Sequence, residues 1–221
     1  MQNLTTERLL DLSHTIAAPL FAACTYPWEA LAGIGDFVRA MGPTLDPDRY
    51  DHPSENVWIA KTASVAPSAS ITGPVIICDD AEIRQCAYIR GNAVIGAGAV
   101  VGNSCEVKNA VIFDSVQVPH FNYVGDSVLG FRSHMGAGAV TSNIKSDRTN
   151  VTIRNGDSII ETGLRKMGAI LGDGVEVGCN SVLNPGTVVG RGSRVYPLSN
   201  VRGVVPEGCI FKSAGRVVPI E

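Results

Sequence analysis

A β-branched apolar residue recurs at every sixth position from Ile59 to Val107, and the series has no gap. A second series of small or apolar residues follows four positions behind it, from Ala63 to Val111. A helix repeats near 3.6 residues and a strand at 2, so neither alone explains a period of six. The period is typical of a chain that turns a corner after each short strand, with three sides making a coil of about 18 residues. The first series is Ile59, Val65, Ile71, Ile77, Ile83, Ile89, Ile95, Val101 and Val107.

This period predicts an all-β fold, a left-handed parallel β-helix of hexapeptide repeats. The first series is predicted to fill the interior, and the second to lie near the corners, where only small side chains fit. Successive coils pair as parallel strands about 4.8 Å apart. No coil buries its own apolar face, so stacking makes the core. Glycines are expected at the tight turns, namely Gly73, Gly91, Gly96, Gly98 and Gly102.

Residues 1–56 lack the period and are predicted to form a short helical N-terminal segment and a linker. Thr5 or Thr6 is expected to cap a first helix, and Thr25 a second helix that ends at Met41. Residues 46–54 are interpreted as the linker. The segment is expected to cap the open end of the β-helix, with a subunit contact or an acceptor-site lid as alternatives.

The β-helix is predicted to span residues 57–205, followed by a C-terminal tail over 206–221 that includes an edge strand. The register slips by one residue at Ile112, just before QVPHFNYVGDSVLG. Residues 141–166 leave the repeat. There NVTIRNGDSIIETG predicts a projecting hairpin with its turn at Asn155-Gly156.

Composition restricts the possible functions. With a net charge of −3, the chain lacks the excess of basic residues that is typical of nucleic-acid-binding proteins. Charged residues make up 18% of the chain, against about 25% on average, which favours an oligomer. No membrane span or secretory signal is recognised, so a cytoplasmic protein is expected. The six cysteines have no CxxC spacing and are interpreted as thiols in a reducing compartment, without a metal or disulfide framework.

Three groups of residues are candidates for chemistry. His120, flanked by aromatic residues, is either a general base or a packed histidine. Arg90 and Lys108 are separated by the length of one full coil, so they stack in adjacent coils. They either hold a phosphate between them or are two solvated charges. Asp126, one coil further on, is a possible partner for Lys108.

The third candidate, GAGAVTSN (136–143), is a glycine-rich turn followed by basic residues, namely Lys145, Arg148, Arg165 and Lys166.

The run from IRGNAVIGAGAVVGNSCEVKNA through QVPHFNYVGDSVLG to HMGAGAVTSN resembles the acetyltransferase domain of the bacterial bifunctional enzyme that makes UDP-N-acetylglucosamine. GLRKMGAILGDGVEVGCNSVLNPGTVVG is similar to the equivalent domain of archaeal bifunctional sugar-1-phosphate enzymes. The resemblance covers about residues 75–205. It implies an acetyl-CoA-dependent N-acetyltransferase acting on an amino-sugar phosphate such as glucosamine-1-phosphate, in nucleotide-sugar synthesis for the cell envelope. It also implies a homotrimer that needs no metal.

The resemblance assigns roles residue by residue. His120 falls on the general base. Gly136, Ala137 and Cys179 fall at or beside positions that line acetyl-CoA, and backbone N–H groups of Gly136 and Ala137 are hypothesised to stabilise the oxyanion. The acceptor residues implied are Arg90 and Lys108 for the phosphate, Tyr123, Asn143, and Arg148 as the nearest match to a family lysine.

Two departures bear on the acceptor: His134 replaces an asparagine and Ile144 a tyrosine of the bacterial family. Galactosamine-1-phosphate and a nucleotide-linked amino sugar therefore stay open as acceptors. The family's nucleotidyltransferase domain is not found, so uridylyl transfer is not predicted. A non-catalytic β-helix for assembly would not need His120, Arg90 and Lys108 together. A zinc-dependent γ-type carbonic anhydrase would need three histidines, two of them close in sequence, which this chain lacks.

Overall fold

The computed structural model describes residues 2–212 and 215–220. The α-helices of this part of the chain all precede Gly42, and no helix in it is long and apolar enough to cross a bilayer. They are α1 (Thr6–Leu9), α2 (Ala18–Phe21) and α3 (Ile34–Met41). Short 3-10 segments cover Gln2–Leu4, Leu12–His14, Pro27–Gly33 and Gly42–Thr44.

Short strands make up most of the remainder, and most of them are parallel and one coil apart. The first strands are β1 (Tyr50–Ser54), β2 (Val57–Ala60), β3 (Ser64–Val65), β4 (Ser70–Thr72), β5 (Val75–Ile77), β6 (Glu82–Ile83), β7 (Tyr88–Arg90), β8 (Ala93–Ile95) and β9 (Val100–Asn103). The middle of the chain forms β10 (Glu106–Ile112), β11 (Gln117–His120), β12 (Tyr123–Leu129), β13 (His134–Met135), β14 (Val140–Thr141), β15 (Thr152–Asn155) and β16 (Ser158–Glu161). The last strands are β17 (Ala169–Leu171), β18 (Glu176–Val177), β19 (Val182–Leu183), β20 (Thr187–Val189), β21 (Arg194–Val195), β22 (Asn200–Val201), β23 (Val204–Val205), β24 (Cys209–Phe211) and β25 (Val217–Pro219).

The strands form three faces, and the predicted parallel β-helix is confirmed. The first face runs from β2 through β5 and β8 to β23, and the second from β3 through β6, β9 and β11 to β24. The third face runs from β4 and β7 to β14, β19 and β22. Strands β10 and β12 each pair with strands of both the third and the first face, so they bend round the corner between those faces.

Coil length varies where the sequence predicted a slip. Ile77 pairs with Ile95, and Ile95 in turn pairs with Ile112, so the second of these coils is shorter by one residue. The pairing of Gln117 with His134 shows that the following coil is equally short. The coil after that is far longer, because Leu129 pairs with Leu171 and the hairpin lies between them.

The predicted interior positions are fully buried from Ile77 onward, whereas Ile59, Val65 and Ile71 at the open end of the stack are only partly buried, because no coil covers them there. The six-residue series from Ile83 to Val107 has at most 1% of its surface exposed. Each fully buried Ile or Val contributes about 1.5–3 kcal/mol to folding. Glycine serves two needs in this stack: Gly91 adopts φ +86°, whereas Gly102 is required for close approach, because a Cβ there would lie 1.6 Å from the Pro119 carbonyl oxygen.

The N-terminal segment does not cap the open end, as had been expected, but lies along the side of several coils. Its Trp28, Ile34 and Val38 are buried in the common core. Asn109 donates to the Leu31 carbonyl, and Asp173 accepts from the backbone N–H of Asp11. A segment with an apolar face of its own buries more surface along a flank than at the triangular end, which explains the difference.

Three local predictions differ in detail. The first helix follows Thr5 as predicted, but the second region begins after Tyr26 rather than Thr25, with the Glu29 carboxylate accepting from the Tyr26 N–H. It is a 3-10 segment that continues into α3, which reflects the poor helix propensity of Gly33 and Gly35. Part of the expected linker is strand β1, which pairs antiparallel with β2.

The predicted hairpin is present as β15 and β16, paired antiparallel with Asn155 opposite Ser158, so its two turn residues are Gly156-Asp157, one position later than predicted. It packs on the β-helix rather than projecting from it, because Ile153 and Ile160 bury their side chains in the common core. In the tail, β24 pairs parallel with β21, and β25 folds back antiparallel on β24. The edge strand predicted in the tail is therefore present. Its residues 213, 214 and 221 lie outside the described residues.

Candidate active site

His120 ends strand β11 at the corner between the second and third faces. Its side chain is exposed and, among the described residues, makes no hydrogen bond or ion pair. Its backbone is fixed, because its N–H donates to the Asn122 side chain at 3.0 Å and its carbonyl accepts from the Gly138 N–H at 3.0 Å. Phe121 takes φ +52° to turn the corner. A rigid backbone thus presents a free imidazole to solvent.

Asn122 is a residue that the sequence analysis did not single out. Only 3% of its surface is exposed. Its Nδ2 donates to the carbonyl oxygens of Gly136 and Ala139, at 2.8 and 3.0 Å, and its Oδ1 accepts from the His120 N–H. The sequence signal that could have identified Asn122 is its polarity. It lies two places after His120, in a repeat that otherwise places apolar or small side chains inside. Asn122 therefore ties His120 to the turn of the next coil.

The residues assigned to acetyl-CoA come together at that corner of successive coils. Met135 pairs with Val177, so Gly136 and Ala137 lie beside Gly178 and Cys179 of the next coil. A Cβ on Gly136 would lie 2.6 Å from the Cys179 nitrogen, which makes glycine necessary there. Ala137 accepts from the Asn180 N–H at 2.8 Å. The Cys179 side chain is exposed on this corner.

The hypothesised oxyanion donors need one correction. The Gly136 N–H already donates to the Val177 carbonyl at 2.7 Å, as part of the parallel ladder. The Ala137 N–H has no acceptor within the described part of the chain. Of the two, only the N–H of Ala137 is available to a ligand.

The third face carries four of the five predicted acceptor residues, Arg90, Lys108, Tyr123 and Asn143, one in each of four consecutive coils. Glu106 pairs in register with Tyr88 and Tyr123, and the same register places Lys108 beside Arg90. The two cations are therefore neighbours, as their spacing predicted. Each also has a carboxylate partner: Arg90 binds Glu106 at 3.1 Å, and Lys108 binds Asp126 at 3.1 Å.

Asp126 is the most buried charge in this group, with 6% of its side chain exposed. Besides Lys108, it accepts from the Asn109 amide at 2.9 Å and from the Asn143 amide. Three donors satisfy the carboxylate, as a buried charge requires. The possibility that Asp126 pairs with Lys108 is thus realised.

Tyr123 and Asn143 lie against this carboxylate. The Asn143 amide donates to the Tyr123 hydroxyl at 3.1 Å. Burial, together with the nearby charge of Asp126, raises the pKa of Tyr123 above its ordinary value. A Cβ at Gly125 would lie 2.4 Å from the Tyr123 hydroxyl oxygen, so the glycine of YVGD lets the phenol lie flat over the strand.

The two groups of residues occupy opposite edges of one face. His120 stands at the edge of the third face next to the Ala137 corner, and Asp126 and Asn143 stand at the other edge. The span between them on β12 is three residues, Tyr123 to Gly125. The face is thus narrow enough for one small molecule to contact both edges.

The remaining predicted positions lie elsewhere. Arg148 is exposed in the loop before the hairpin with φ +58°. His134 lies on the second face, where its Nδ1 is 2.8 Å from Glu176. Ile144 is partly exposed and lines a cavity at the base of the hairpin. Among the described residues, no three His, Cys, Asp or Glu side chains are grouped as a metal site would require.

These features define a class: a parallel β-helix of six-residue repeats with a polar site on one face. Residues 71–190 match the family model described as the GMPPB C-terminal domain, and the chain belongs to that family.

Curated relatives match the same region. The bifunctional sugar-1-phosphate nucleotidylyltransferase/acetyltransferase of Sulfurisphaera tokodaii is 38% identical over 109 residues, which is 49% of this chain and 27% of that protein. The bifunctional protein GlmU of Methanococcus maripaludis is 34% identical over 93 residues, 42% of this chain and 22% of its own length. The chain thus spans about a quarter of the length of these relatives. Both names agree with the resemblance described above.

A solved structure, the acetyltransferase domain of PglB from Neisseria gonorrhoeae, aligns with 85% of this chain and 67% of its own. Its sequence identity is 16% and its TM-score 0.33, a similarity that supports no conclusion about this chain.

Proposed function

We propose that the protein is an acetyl-CoA-dependent N-acetyltransferase whose acceptor is an amino-sugar phosphate such as glucosamine-1-phosphate. The observation that carries this proposal is the position of His120. Its imidazole, which has no partner among the described residues, stands between the corner formed by Ala137 and Cys179 and the polar third face. The acetyltransferase named among the relatives supports the same reaction.

In the proposed reaction the acceptor amine attacks the carbonyl carbon of the acetyl thioester. His120 accepts the amine proton, a general-base role typically worth about 10² to 10⁴ in rate. The Ala137 N–H stabilises the oxyanion of the tetrahedral intermediate. The C–S bond then breaks, CoA leaves as the thiolate or thiol, and the amide product remains. No covalent acyl-enzyme is needed.

The acceptor is proposed to lie on the third face. Tyr123 and Asn143 offer hydrogen bonds to sugar hydroxyls. A phosphate would bind Arg90 and Lys108 only by competing with Glu106 and Asp126. Because His134 and Ile144 depart from the bacterial family, galactosamine-1-phosphate and a nucleotide-linked amino sugar are kept as alternative acceptors.

The protein is further proposed to act as a cytoplasmic homotrimer in nucleotide-sugar synthesis. The low charged fraction supports an oligomer, since charges are depleted on surfaces covered by neighbours. Exposed apolar residues on the outer faces and corners support the same conclusion, among them Phe121, Val182, Tyr196 and Leu198.

The test is the release of free CoA thiol from acetyl-CoA across glucosamine-1-phosphate, galactosamine-1-phosphate and UDP-glucosamine. His120→Ala is measured alongside His52→Ala, which removes an exposed histidine of β1. We expect release with at least one acceptor, a loss of about 10²-fold or more in His120→Ala, and little change in His52→Ala.

Two outcomes would contradict the proposal. Equal activity of His120→Ala and the parent would remove His120 from the reaction. No release and no acetyl-CoA binding by calorimetry would favour a non-catalytic β-helix used for assembly.

A further inference from the structure

A cavity of about 310 Å³ opens at the base of the hairpin, next to the candidate active site. Its lining includes Ser142 and Ile144, the two neighbours of Asn143. A smaller hollow of about 20 Å³ extends it under the hairpin strand. The main volume lies at the lower end of the range for small-molecule sites. The two spaces share Lys145, Pro185 and Arg202.

The charge of the lining is positive. It contains the cations Lys145, Arg154 and Arg202 against one carboxylate, Asp147. Asp147 lies 3.5 Å from Lys145. Within the described residues Arg154 has no ion pair or hydrogen bond from its guanidinium, and that of Arg202 only reaches the Asn184 oxygen at 3.5 Å. Two guanidinium groups are therefore free to bind an anion.

This arrangement is fixed by the backbone. Gly186 and Gly203 occupy successive coils with φ of +80°, and the hairpin strand lies directly on them. A Cβ on Gly186 would lie 2.6 Å from the Thr152 carbonyl oxygen, and one on Gly203 would lie 2.6 Å from the Arg154 carbonyl oxygen. The hairpin thus rests against the β-helix and places Arg154 over the turn that carries Arg202.

We infer that this cavity binds a phosphoryl group. Guanidinium groups match phosphate oxygens in a planar, bidentate geometry and stay charged at all physiological pH. The contrast with Arg90 and Lys108 strengthens the assignment. Those cations are paired with carboxylates, whereas Arg154 and Arg202 have no carboxylate partner in the part of the chain that the structure describes. This deepens the proposed function: the phosphoryl group belongs either to the acceptor or to CoA.

The test begins without turnover. Binding of inorganic pyrophosphate to the full chain is measured by calorimetry for the parent, for Arg154→Gln/Arg202→Gln, and for Arg194→Gln as a control. Arg194 is an exposed arginine of β21 on the second face. We expect saturable binding that weakens about tenfold or more in the double variant, since a hydrogen bond to a charged group is worth at least that. Binding by the control is expected to match the parent.

The source of the phosphoryl group is read from KM values of the same variants. A rise of about tenfold in KM for the amino-sugar phosphate assigns the cavity to the acceptor, and the same rise for acetyl-CoA assigns it to CoA. Either result supports the inference.

Absence of pyrophosphate binding by the parent, or equal binding by the double variant, overturns the inference while leaving acetyl transfer untouched. Conversely, if pyrophosphate binding requires both arginines but the protein releases no CoA, the phosphoryl-binding cavity is supported and the proposed function is overturned. Circular dichroism spectra and melting temperatures that match the parent show that the exposed substitutions leave the fold intact.

Discussion

The Asn122 side-chain amide donates a 2.8 Å hydrogen bond to the carbonyl oxygen of Gly136, across two neighbouring coils. The same side chain accepts from the His120 N–H, so one buried group holds both the candidate base and the turn before Ala137. A buried polar residue with all of its bonds made specifies one arrangement of its neighbours. Relative movement of the two coils at this corner would break these bonds.

Replacing Asn122 with Ala is therefore expected to destabilise the fold. It leaves the His120 N–H and the Ala139 carbonyl without their partner in the interior, and the free energy of unfolding should fall by about 2–4 kcal/mol. Urea denaturation measures the change. Asn103→Ala is the matched control, because Asn103 pairs with His120 in register but makes a single exposed bond to the Gln85 carbonyl. Equal losses in the two variants would contradict the role given to Asn122.

The ion pair of Lys108 and Asp126 is expected to stabilise the protein more than that of Arg90 and Glu106. Lys108→Met removes a hydrogen-bond donor from a carboxylate that is only 6% exposed, and it should lower the free energy of unfolding by about 1.5–3 kcal/mol. Arg90 and Glu106 are more exposed, so Arg90→Met should cost less than about 1 kcal/mol.

A double-mutant cycle with Asp126→Asn isolates the Lys108 pair. We expect a coupling energy of about 1–3 kcal/mol. A value near zero would mean that the carboxylate is satisfied by Asn109 and Asn143 alone.

Gly102→Ala is expected to be among the most damaging small substitutions. The new Cβ would lie 1.6 Å from the Pro119 carbonyl oxygen, next to His120, so the two coils would have to separate. The expected loss of unfolding free energy is about 3 kcal/mol or more. Gly156→Ala at the hairpin tip meets no atom within 4 Å and should cost only about 1–2 kcal/mol, for its φ of +60°. Thermal and urea unfolding of both variants test the difference, and a smaller loss for Gly102→Ala would be inconsistent with the structure.

Stability is expected to fall in alkali because of Cys78. Burial, reinforced by the nearby charge of Asp114, raises the pKa of the Cys78 thiol to about 12 from an ordinary value of 9.0. Between these values the unfolded chain binds fewer protons than the folded one, so stability decreases as the pH rises. Burial raises the pKa of Tyr50 as well, in the same direction.

Melting temperatures from pH 8 to 11 check this expectation. Cys78→Ala should make the decline with pH shallower, while Cys86→Ala, which removes an exposed thiol, should leave it unchanged. If the melting temperature falls equally with pH in all three proteins, the Cys78 thiol does not cause the loss of stability in alkali.

The sequence determined the architecture. A period of six with β-branched residues inside leaves a stacked coil as the one way to bury the Ile and Val residues of the series from Ile77 onward. Even the slip at Ile112 marked a coil shorter by one residue. The hairpin was readable to within one residue, because a glycine turn between alternating strands acts locally, although its turn residues are Gly156-Asp157 rather than Asn155-Gly156. Spacing alone also placed Arg90 beside Lys108, since both lie on one face one coil apart.

Tertiary structure decided the rest. Spacing offered Asp126 as a partner for Lys108 but did not decide between that pair and a bound phosphate. The partner of Arg90, Glu106, follows only from the pairing of β7 with β10. The Gly136 N–H is engaged because the next coil supplies Val177, which the hairpin separates from it along the chain. The Arg154 and Arg202 cavity exists because a hairpin lies on two glycines of later coils. Contacts of this kind join distant parts of the chain, so a local period carries no record of them.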